Sequence, residues 1–200
     1  MMTIPRSREI LEFHDRSLAR PDWLDGASPE QTHGVWPHIE LNHRCNCALW
    51  KEEDQARRRD VPDSAIAANK RAIDAHNQKR NDAIEKIDEC LLVLLQAPER
   101  SVDARLNSET AGAMVDRLSI LALKIFHMRI QTGRHDAGKE HLETSRARLA
   151  RLSEQRADLA GCFDALLADC LAGRARFKVY RQFKMYNDPA FNPYLYGAKR

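Results

Sequence analysis

Charged and amide side chains occupy several positions at which a packed helix would normally carry apolar residues. One helical line in the segment 38–58 contains His43, Asn46, Trp50, Asp54 and Arg57. Burying such groups costs free energy unless each of them finds a partner. The pattern therefore predicts either a polar network inside the protein or a binding site.

The same pattern recurs in two later segments. In the segment 62–96, polar residues lie on or beside a stripe of isoleucine and leucine. These residues are Asn77, Arg80, Asn81, Glu85 and Asp88. The segment 109–132 is apolar on almost every side, yet Glu109, Asp116 and His127 lie along one line of it. Arg117 and Lys124 border this line. The polar groups of three helices are therefore expected to meet inside the fold.

Two interpretations of these residues are open. In the first, the amides and carboxylates form a satisfied network with arginine that fixes the register of the helices. In the second, carboxylates from several helices face one cavity and bind Mg²⁺, a cation that prefers oxygen ligands. The predicted metal ligands are Asp54, Glu85, Asp88, Glu109 and Asp116.

The second interpretation also assigns ligand binding and proton transfer. Arginine and lysine bind phosphate oxygens, and histidine exchanges protons near neutral pH. The predicted ligand-binding residues are Asn46, Arg57, Asn77, Arg80, Asn81, Arg117 and Lys124. The predicted proton-transfer residues are His127 and His43. The expected ligand is phosphorylated.

Short motifs do not decide between these interpretations. Glu85 and Asp88 have the E-x-x-D spacing that places two carboxylates on one helix face, as in the all-helical nucleotide pyrophosphohydrolases. Those enzymes also need an E-E-x-x-E pair, and here Ala56 stands where its last glutamate would be. The sequence contains no phosphate loop, dinucleotide fingerprint or G-x-S-x-G motif.

Composition limits the class of protein. The 200 residues suit one domain, and 43% hydrophobic with only 6% aromatic residues favours helices over a sandwich or barrel. A net charge of +3, with acids and bases mixed, is not typical of a nucleic-acid-binding protein. No apolar run is long enough for a signal peptide or membrane span. Five cysteines without framework spacing agree with a cytoplasmic location.

Helical periodicity predicts the elements that position these residues. We expect an all-α fold, an antiparallel bundle of four long helices with a short N-terminal helix and an irregular C-terminal tail. The expected division is 1–37 for the N-terminal helix and loop, 38–194 for the bundle domain and 195–200 for the tail. The apolar third long helix is expected innermost, and the fourth is a candidate homodimer contact. No strand is predicted, and Cys162 and Cys170 are expected in the core.

Four sequence blocks resemble an uncharacterised bacterial family, the domain of unknown function numbered forty-two fifty-four. The blocks are 46–57 (NCALWKEEDQAR), 70–88 (KRAIDAHNQKRNDAIEKID), 106–128 (LNSETAGAMVDRLSILALKIFHM) and 180–193 (YRQFKMYNDPAFNP). Many members of this family carry histidine at the position of Lys51, so a role of that histidine would not extend to this chain.

The resemblance implies an all-helical cytosolic protein, often encoded beside glycosyltransferases of surface-polysaccharide or lipopolysaccharide assembly. It implies no established activity. The leading hypothesis is an accessory enzyme of envelope-glycan metabolism that binds a phosphorylated or nucleotide-linked sugar, with Mg²⁺ as a candidate cofactor. The alternative is a non-catalytic adaptor that docks a glycosyltransferase, in which the polar residues only fix helix register.

Overall fold

The computed structural model describes residues 4–24, 32–95 and 103–197, most of which are helical. The helices are α1 (Ser7–Leu18), α2 (Trp36–Gln55), α3 (Asp63–Leu94), α4 (Ala111–Thr132), α5 (Lys139–Leu171) and α6 (Pro193–Tyr196). A single 3-10 turn, Met185–Asn187, precedes α6. The predicted all-α fold is confirmed.

Helix α4 occupies the centre of the bundle and contacts α1, α2, α3 and α5. Its position follows from its sequence, because a helix that is apolar on every side must be surrounded by other helices. Val115 and Leu118 are fully buried there. Helices α2 and α3 form one packed pair, and α4 and α5 form another.

The start of α4 is fixed by two polar contacts. The Thr110 side chain accepts a hydrogen bond from the backbone N–H of Ala113, as the sequence predicts for an N-cap. The Asp88 carboxylate of α3 accepts a second one from the Gly112 N–H at 2.6 Å. A Cβ atom added to Gly112 would lie 2.5 Å from the Ile84 carbonyl oxygen. The two helices therefore cross closely only because residue 112 has no side chain.

Helix α1 packs on the same core as the bundle. Its apolar side chains Ile10 and Phe13 are buried. At its N-terminus, Ser7 donates hydrogen bonds from its backbone N–H and its hydroxyl to Asp164 of α5, at 2.9 and 2.6 Å. Nearer its C-terminus, Asp15 accepts a hydrogen bond from Arg156 at 2.7 Å. Helix α1 is thus antiparallel to α5.

The prediction that the chain has no strand is wrong in one place. Arg105–Leu106 (β1) and Ala175–Arg176 (β2) pair in parallel. Gly173 adopts a φ of 70° directly after α5, a conformation that glycine permits, and turns the chain towards β1. Two-residue strands are too short to show alternation in a sequence.

The first part of the C-terminal tail is attached to α3, and the later part is exposed. Arg181 donates hydrogen bonds to Glu85, at 2.7 Å, and to Glu89. Beyond this anchor, 84% of Phe183 and 88% of Tyr194 is exposed. Residues 198–200 of the predicted tail lie outside the described residues.

None of the described helices combines the length and the apolar character that crossing a bilayer requires. All five cysteines are free thiols. Cys45, Cys47 and Cys170 are buried and Cys90 is half-buried. Cys162 is exposed, so its predicted place in the core is wrong.

Candidate functional site

A buried polar network joins α2, α3 and α4 around Asp116. Its Oδ1 accepts hydrogen bonds from the amides of Asn42 and Asn46, each at 2.9 Å, and from Arg80 Nε at 2.8 Å. Its Oδ2 accepts from Arg80 Nη2 at 2.6 Å. The network continues to Ser119, whose hydroxyl accepts from Asn46 at 3.0 Å. The first interpretation, a network that fixes helix register, therefore describes this part of the protein.

These contacts leave Asp116 unsuited to a metal. A carboxylate offers about four acceptor positions, and Asp116 accepts four hydrogen bonds from the two asparagine amides and the Arg80 guanidinium, three at Oδ1 and one at Oδ2. The pairing with Arg80 is bidentate, which is the strongest geometry for this pair. It also holds the pKa of Arg80 above its ordinary value. A cation could reach Asp116 only by displacing the guanidinium.

The other predicted metal ligands lie apart from Asp116, each with its own surroundings. Asp88 binds the N-terminus of α4 through the Gly112 N–H. Glu85 accepts from Arg181 at the surface, and Glu109 accepts from Arg117 at 2.5 Å. Asp54 is exposed on α2. The five carboxylates therefore do not converge on one point.

Within residues 4–24, 32–95 and 103–197, no three histidine, cysteine, aspartate or glutamate side chains are arranged to hold a metal. The residues predicted to bind Mg²⁺ thus do not fit that ion. The physical reason is the presence of arginine beside three of the carboxylates, because a bound guanidinium satisfies and neutralises the oxygens that a cation would need.

The polar network opens on a surface groove of about 310 Å³ between α2, α3 and α4, which we call the Arg57 groove. Asn46, Asn77 and Arg80 reach its wall from the network. Arg57 lies in the same wall and donates to Glu53 at 2.8 Å. Four of the seven predicted ligand-binding residues therefore line this one groove. Asn81, on α3, does not line it.

A second groove of about 450 Å³, the Trp23 groove, lies between α2, α4 and the segment that follows α1. Trp50, Asp54 and Leu123 line both grooves and form the wall between them. His127 lines the Trp23 groove and stacks on Trp50, with ring centroids 4.4 Å apart and an interplanar angle of 4°.

The two predicted proton-transfer histidines have different surroundings. Partial burial lowers the pKa of His127 below its ordinary value, and the nearby Asp54 carboxylate offsets part of this effect. His127 lies at the wall of the Trp23 groove. His43 is fully buried, and this burial lowers its pKa to about 3. Its Nδ1 shares a hydrogen bond of 2.7 Å with Ser119 Oγ. The assignment of His43 to proton transfer is therefore not supported, because it stays neutral and out of contact with solvent.

Arg117 and Lys124 lie away from the other predicted ligand-binding residues. They line a third groove, of about 610 Å³ between α4 and α5, together with Glu109 and Cys162. We call it the Cys162 groove. The sequence places Arg117 and Lys124 beside the polar line of α4, but the bundle turns these side chains away from α2 and α3.

Sequence reasoning missed three polar residues of the interior. Asn42 stands one helical turn before Asn46, and Ser119 stands one turn after Asp116, so both spacings could have indicated network members. His14 lies on the buried face of α1 with Ile10 and Ser17, at the spacing of an amphipathic stripe. Its ring contacts that of His43, with centroids 4.4 Å apart and the planes tilted by 30°, and neither ring nitrogen of His14 has a hydrogen-bond partner.

Comparison with known proteins identifies the family of this chain and gives no activity. The model of the family described as "Protein of unknown function (DUF4254)" matches residues 36–179, which include α2 to α5 and the whole polar network. No curated protein and no solved structure matches the chain significantly. The match covers more than half of the chain, so the protein belongs to the DUF4254 family.

Proposed function

We propose that this protein binds a phosphorylated or nucleotide-linked sugar in the Arg57 groove and acts as an accessory enzyme of envelope-glycan metabolism in the cytoplasm. One observation carries the proposal. Arg80 is held by Asp116 inside the bundle and also lines the groove, so a rigid guanidinium faces a ligand-sized space of about 310 Å³. Envelope-glycan metabolism is what the family resemblance implies.

The residues around Arg80 suit such a ligand. Arg57 adds a second guanidinium, and guanidinium groups bind phosphate oxygens in a fixed geometry. Asn77 and Glu53 offer hydrogen-bonding groups to sugar hydroxyls. Ile120 offers apolar surface to a sugar ring. In this proposal the guanidinium N–H groups of Arg80 and Arg57 bind the phosphate oxygens in place of a divalent cation.

His127 is the group that transfers a proton in this proposal. It stacks on Trp50 at the wall between the two grooves, and Asp54 lines both of them. Proton transfer to or from a positioned histidine is a common part of sugar and phosphate chemistry. The reaction class that follows is the breaking or forming of a bond to phosphate or to a sugar hydroxyl.

Calorimetric titration of the protein with glucose 1-phosphate, with and without Mg²⁺, tests the binding step. We expect saturable binding that Arg57→Ala weakens at least tenfold, since a hydrogen bond between charged groups contributes about 1.5–3 kcal/mol. Arg58→Ala is the matched control, because Arg58 is the next residue, pairs with Asp60 at 2.7 Å and lies outside the groove.

Absence of binding to glucose 1-phosphate and to a panel of nucleotide sugars would overturn the proposal. Equal losses in the Arg57→Ala and Arg58→Ala variants would contradict the assignment to this groove. A requirement for Mg²⁺ would contradict recognition by arginine alone.

The exposed tail favours a second candidate, an adaptor that docks a glycosyltransferase. Within 14 residues it exposes seven large hydrophobic side chains: Phe183, Met185, Tyr186, Phe191, Tyr194, Leu195 and Tyr196. An exposed apolar surface of this kind often marks a protein interface. We expect a glycosyltransferase to co-purify with this protein and to be lost from a Phe183→Ser/Tyr194→Ser variant. Unchanged capture by that variant would contradict docking through the tail.

A further inference from the structure

The Trp23 groove is a second space of ligand size beside the proposed phosphate site. Its volume is about 450 Å³, within the range of pockets that bind small molecules. Among the residues that the structure describes, the two grooves share three lining residues, Trp50, Asp54 and Leu123. The two grooves are therefore neighbours, separated by these side chains.

The lining of the Trp23 groove suits a planar, mostly apolar group. Trp50 contributes an indole ring, and Leu18, Pro21 and Leu24 contribute aliphatic surface. Trp23 is buried under the Arg44 guanidinium, which lies 4.0 Å from its ring centroid, so it closes the groove and offers no free ring face. Nucleic acid bases stack on aromatic side chains, and this stacking depends on the π-face that all bases share. The groove is thus suited to a nucleobase.

The polar residues of the Trp23 groove match the rest of a nucleotide. Arg20 and Lys51 are cations in its lining, and cations of this kind bind the oxygens of a diphosphate. The Asp54 carboxylate lies in the shared wall, where it can accept hydrogen bonds from ribose hydroxyls. Cys47 also lines this groove, but burial raises the pKa of its thiol to about 12, so it is a neutral wall residue and no nucleophile.

We propose that the Trp23 groove binds the nucleoside part of a nucleoside diphosphate sugar, whose sugar phosphate lies in the Arg57 groove. This inference rests on the proposed function and narrows its ligand from phosphorylated sugars in general to sugar nucleotides. It assigns base stacking to Trp50, diphosphate binding to Arg20 and Lys51, and the boundary between the two grooves to Asp54.

Three probes separate the two grooves in calorimetric titrations. Glucose 1-phosphate reports on the Arg57 groove, and a panel of UDP, GDP, CDP and dTDP reports on the Trp23 groove. The glucose derivative of the best nucleoside diphosphate reports on both grooves together. We expect this sugar nucleotide to bind at least tenfold more tightly than either part alone.

A pair of leucine variants localises the nucleoside. Leu24→Ser, in the Trp23 groove, should weaken the nucleoside diphosphate and the sugar nucleotide at least fivefold and leave glucose 1-phosphate unchanged. Leu41→Ser is the matched control, because Leu24 and Leu41 are 40% and 41% exposed and Leu41 lines neither groove. Lys51→Ala should weaken the same two probes as Leu24→Ser.

The outcomes of these titrations are distinguishable. Binding of glucose 1-phosphate without binding of any of the four nucleoside diphosphates would overturn this inference and leave the proposed function standing. Equal effects of Leu24→Ser and Leu41→Ser would also overturn the inference and leave the proposed function standing. So would a short-chain lipid phosphate that competes for the Trp23 groove better than the nucleotides do. Absence of binding by every probe would overturn both proposals.

Discussion

Asp116 is the residue on which the buried polar contacts depend. It is 4% exposed and accepts four hydrogen bonds, two of them from Arg80, whose side chain is 26% exposed. An isolated charge at such a position would be strongly unfavourable. The paired carboxylate therefore serves two purposes: it stabilises the contact between α2, α3 and α4, and it holds Arg80 in place at the Arg57 groove.

Replacing Asp116 by asparagine should lower the free energy of unfolding by about 2–3 kcal/mol. The variant leaves the half-buried Arg80 guanidinium without its counter-charge, and breaking a buried ion pair on one side typically costs about 3–5 kcal/mol. We expect the lower range because part of Arg80 reaches water. Urea denaturation followed by circular dichroism measures the change.

Asp82→Asn is the control for this prediction. Asp82 is an exposed residue of α3 that accepts a hydrogen bond from Gln78 at 2.8 Å, so its variant should stay within about 0.5 kcal/mol of the wild type. The double variant Arg80→Gln/Asp116→Asn should lose less than the sum of the single variants. Full additivity would contradict a direct pair.

The sequence could show that Asp116, Arg80 and Asn46 belong to buried helix faces, because helical phase depends only on residue spacing. It could not show which groups pair. An aspartate that pairs with arginine and an aspartate that binds a metal ion have the same spacing in the sequence. The position of α3 along α4 decides which of the two contacts forms. For this reason Asn46, Arg80 and Asp116 were found in advance, whereas Asn42 and Ser119 were missed and the predicted Mg²⁺ site is not formed.

Gly112 is the feature that determines how closely α3 and α4 approach. Predicting helix bounds from apolar stripes succeeded for these helices to within a few residues. The crossing point was beyond prediction, since a single glycine in a helix has several structural explanations. The same limit applies to the pairing of β1 with β2, which joins residues 70 positions apart.

Gly112→Ala should destabilise the protein by about 2–3 kcal/mol through overpacking. Its new Cβ atom would lie 2.5 Å from the Ile84 carbonyl oxygen and 2.9 Å from Asp88 Oδ1, so α3 and α4 would have to separate. Thermal and urea unfolding of the variant measure this loss.

Gly161→Ala is the matched substitution in α5, where an added Cβ atom would have no neighbour within 4 Å. It should stabilise the protein by about 0.5–1 kcal/mol, because alanine favours the helix more than glycine does. Changes of the same sign in the two variants would mean that the close approach of α3 and α4 is not what residue 112 determines.

At the scale of the whole molecule, α1 is joined to the bundle partly through the contact between the imidazole rings of His14 and His43. His14 and His43 are fully buried, and burial lowers the pKa of both, with the charge of Arg156 adding to the effect. Both rings are therefore neutral in the folded protein. In the unfolded chain, histidine becomes protonated below about pH 6.5.

The stability of the protein should consequently fall as the pH drops below about 6.5. Folding lowers the pKa of both histidines. Their contribution to stability is therefore fully present when the pH is above the pKa of histidine in the unfolded chain, and it is lost as the pH falls towards the lower pKa of the folded state. Each histidine contributes a slope of about 1.4 kcal/mol per pH unit. Urea denaturation at several pH values between 7 and 5 measures it.

His14→Phe tests the origin of this slope. Phenylalanine keeps an aromatic ring beside His43 and removes one of the two buried imidazoles, so the slope between pH 6.5 and 5 should fall by up to about 1.4 kcal/mol per pH unit. His141→Gln, on the exposed face of α5, should keep the wild-type profile. An unchanged slope in the His14→Phe variant would contradict the role of the buried pair.

Cys162 is the single fully exposed thiol among five free cysteines, and it lies on the wall of the Cys162 groove. Burial raises the pKa of Cys45 to about 11 and of Cys47 to about 12, and it raises that of the half-buried Cys90 as well. Cys170 is buried. A maleimide dye or spin label at neutral pH will therefore attach selectively at residue 162 of the wild-type chain, and distances from the α4–α5 surface become measurable without removing any native cysteine.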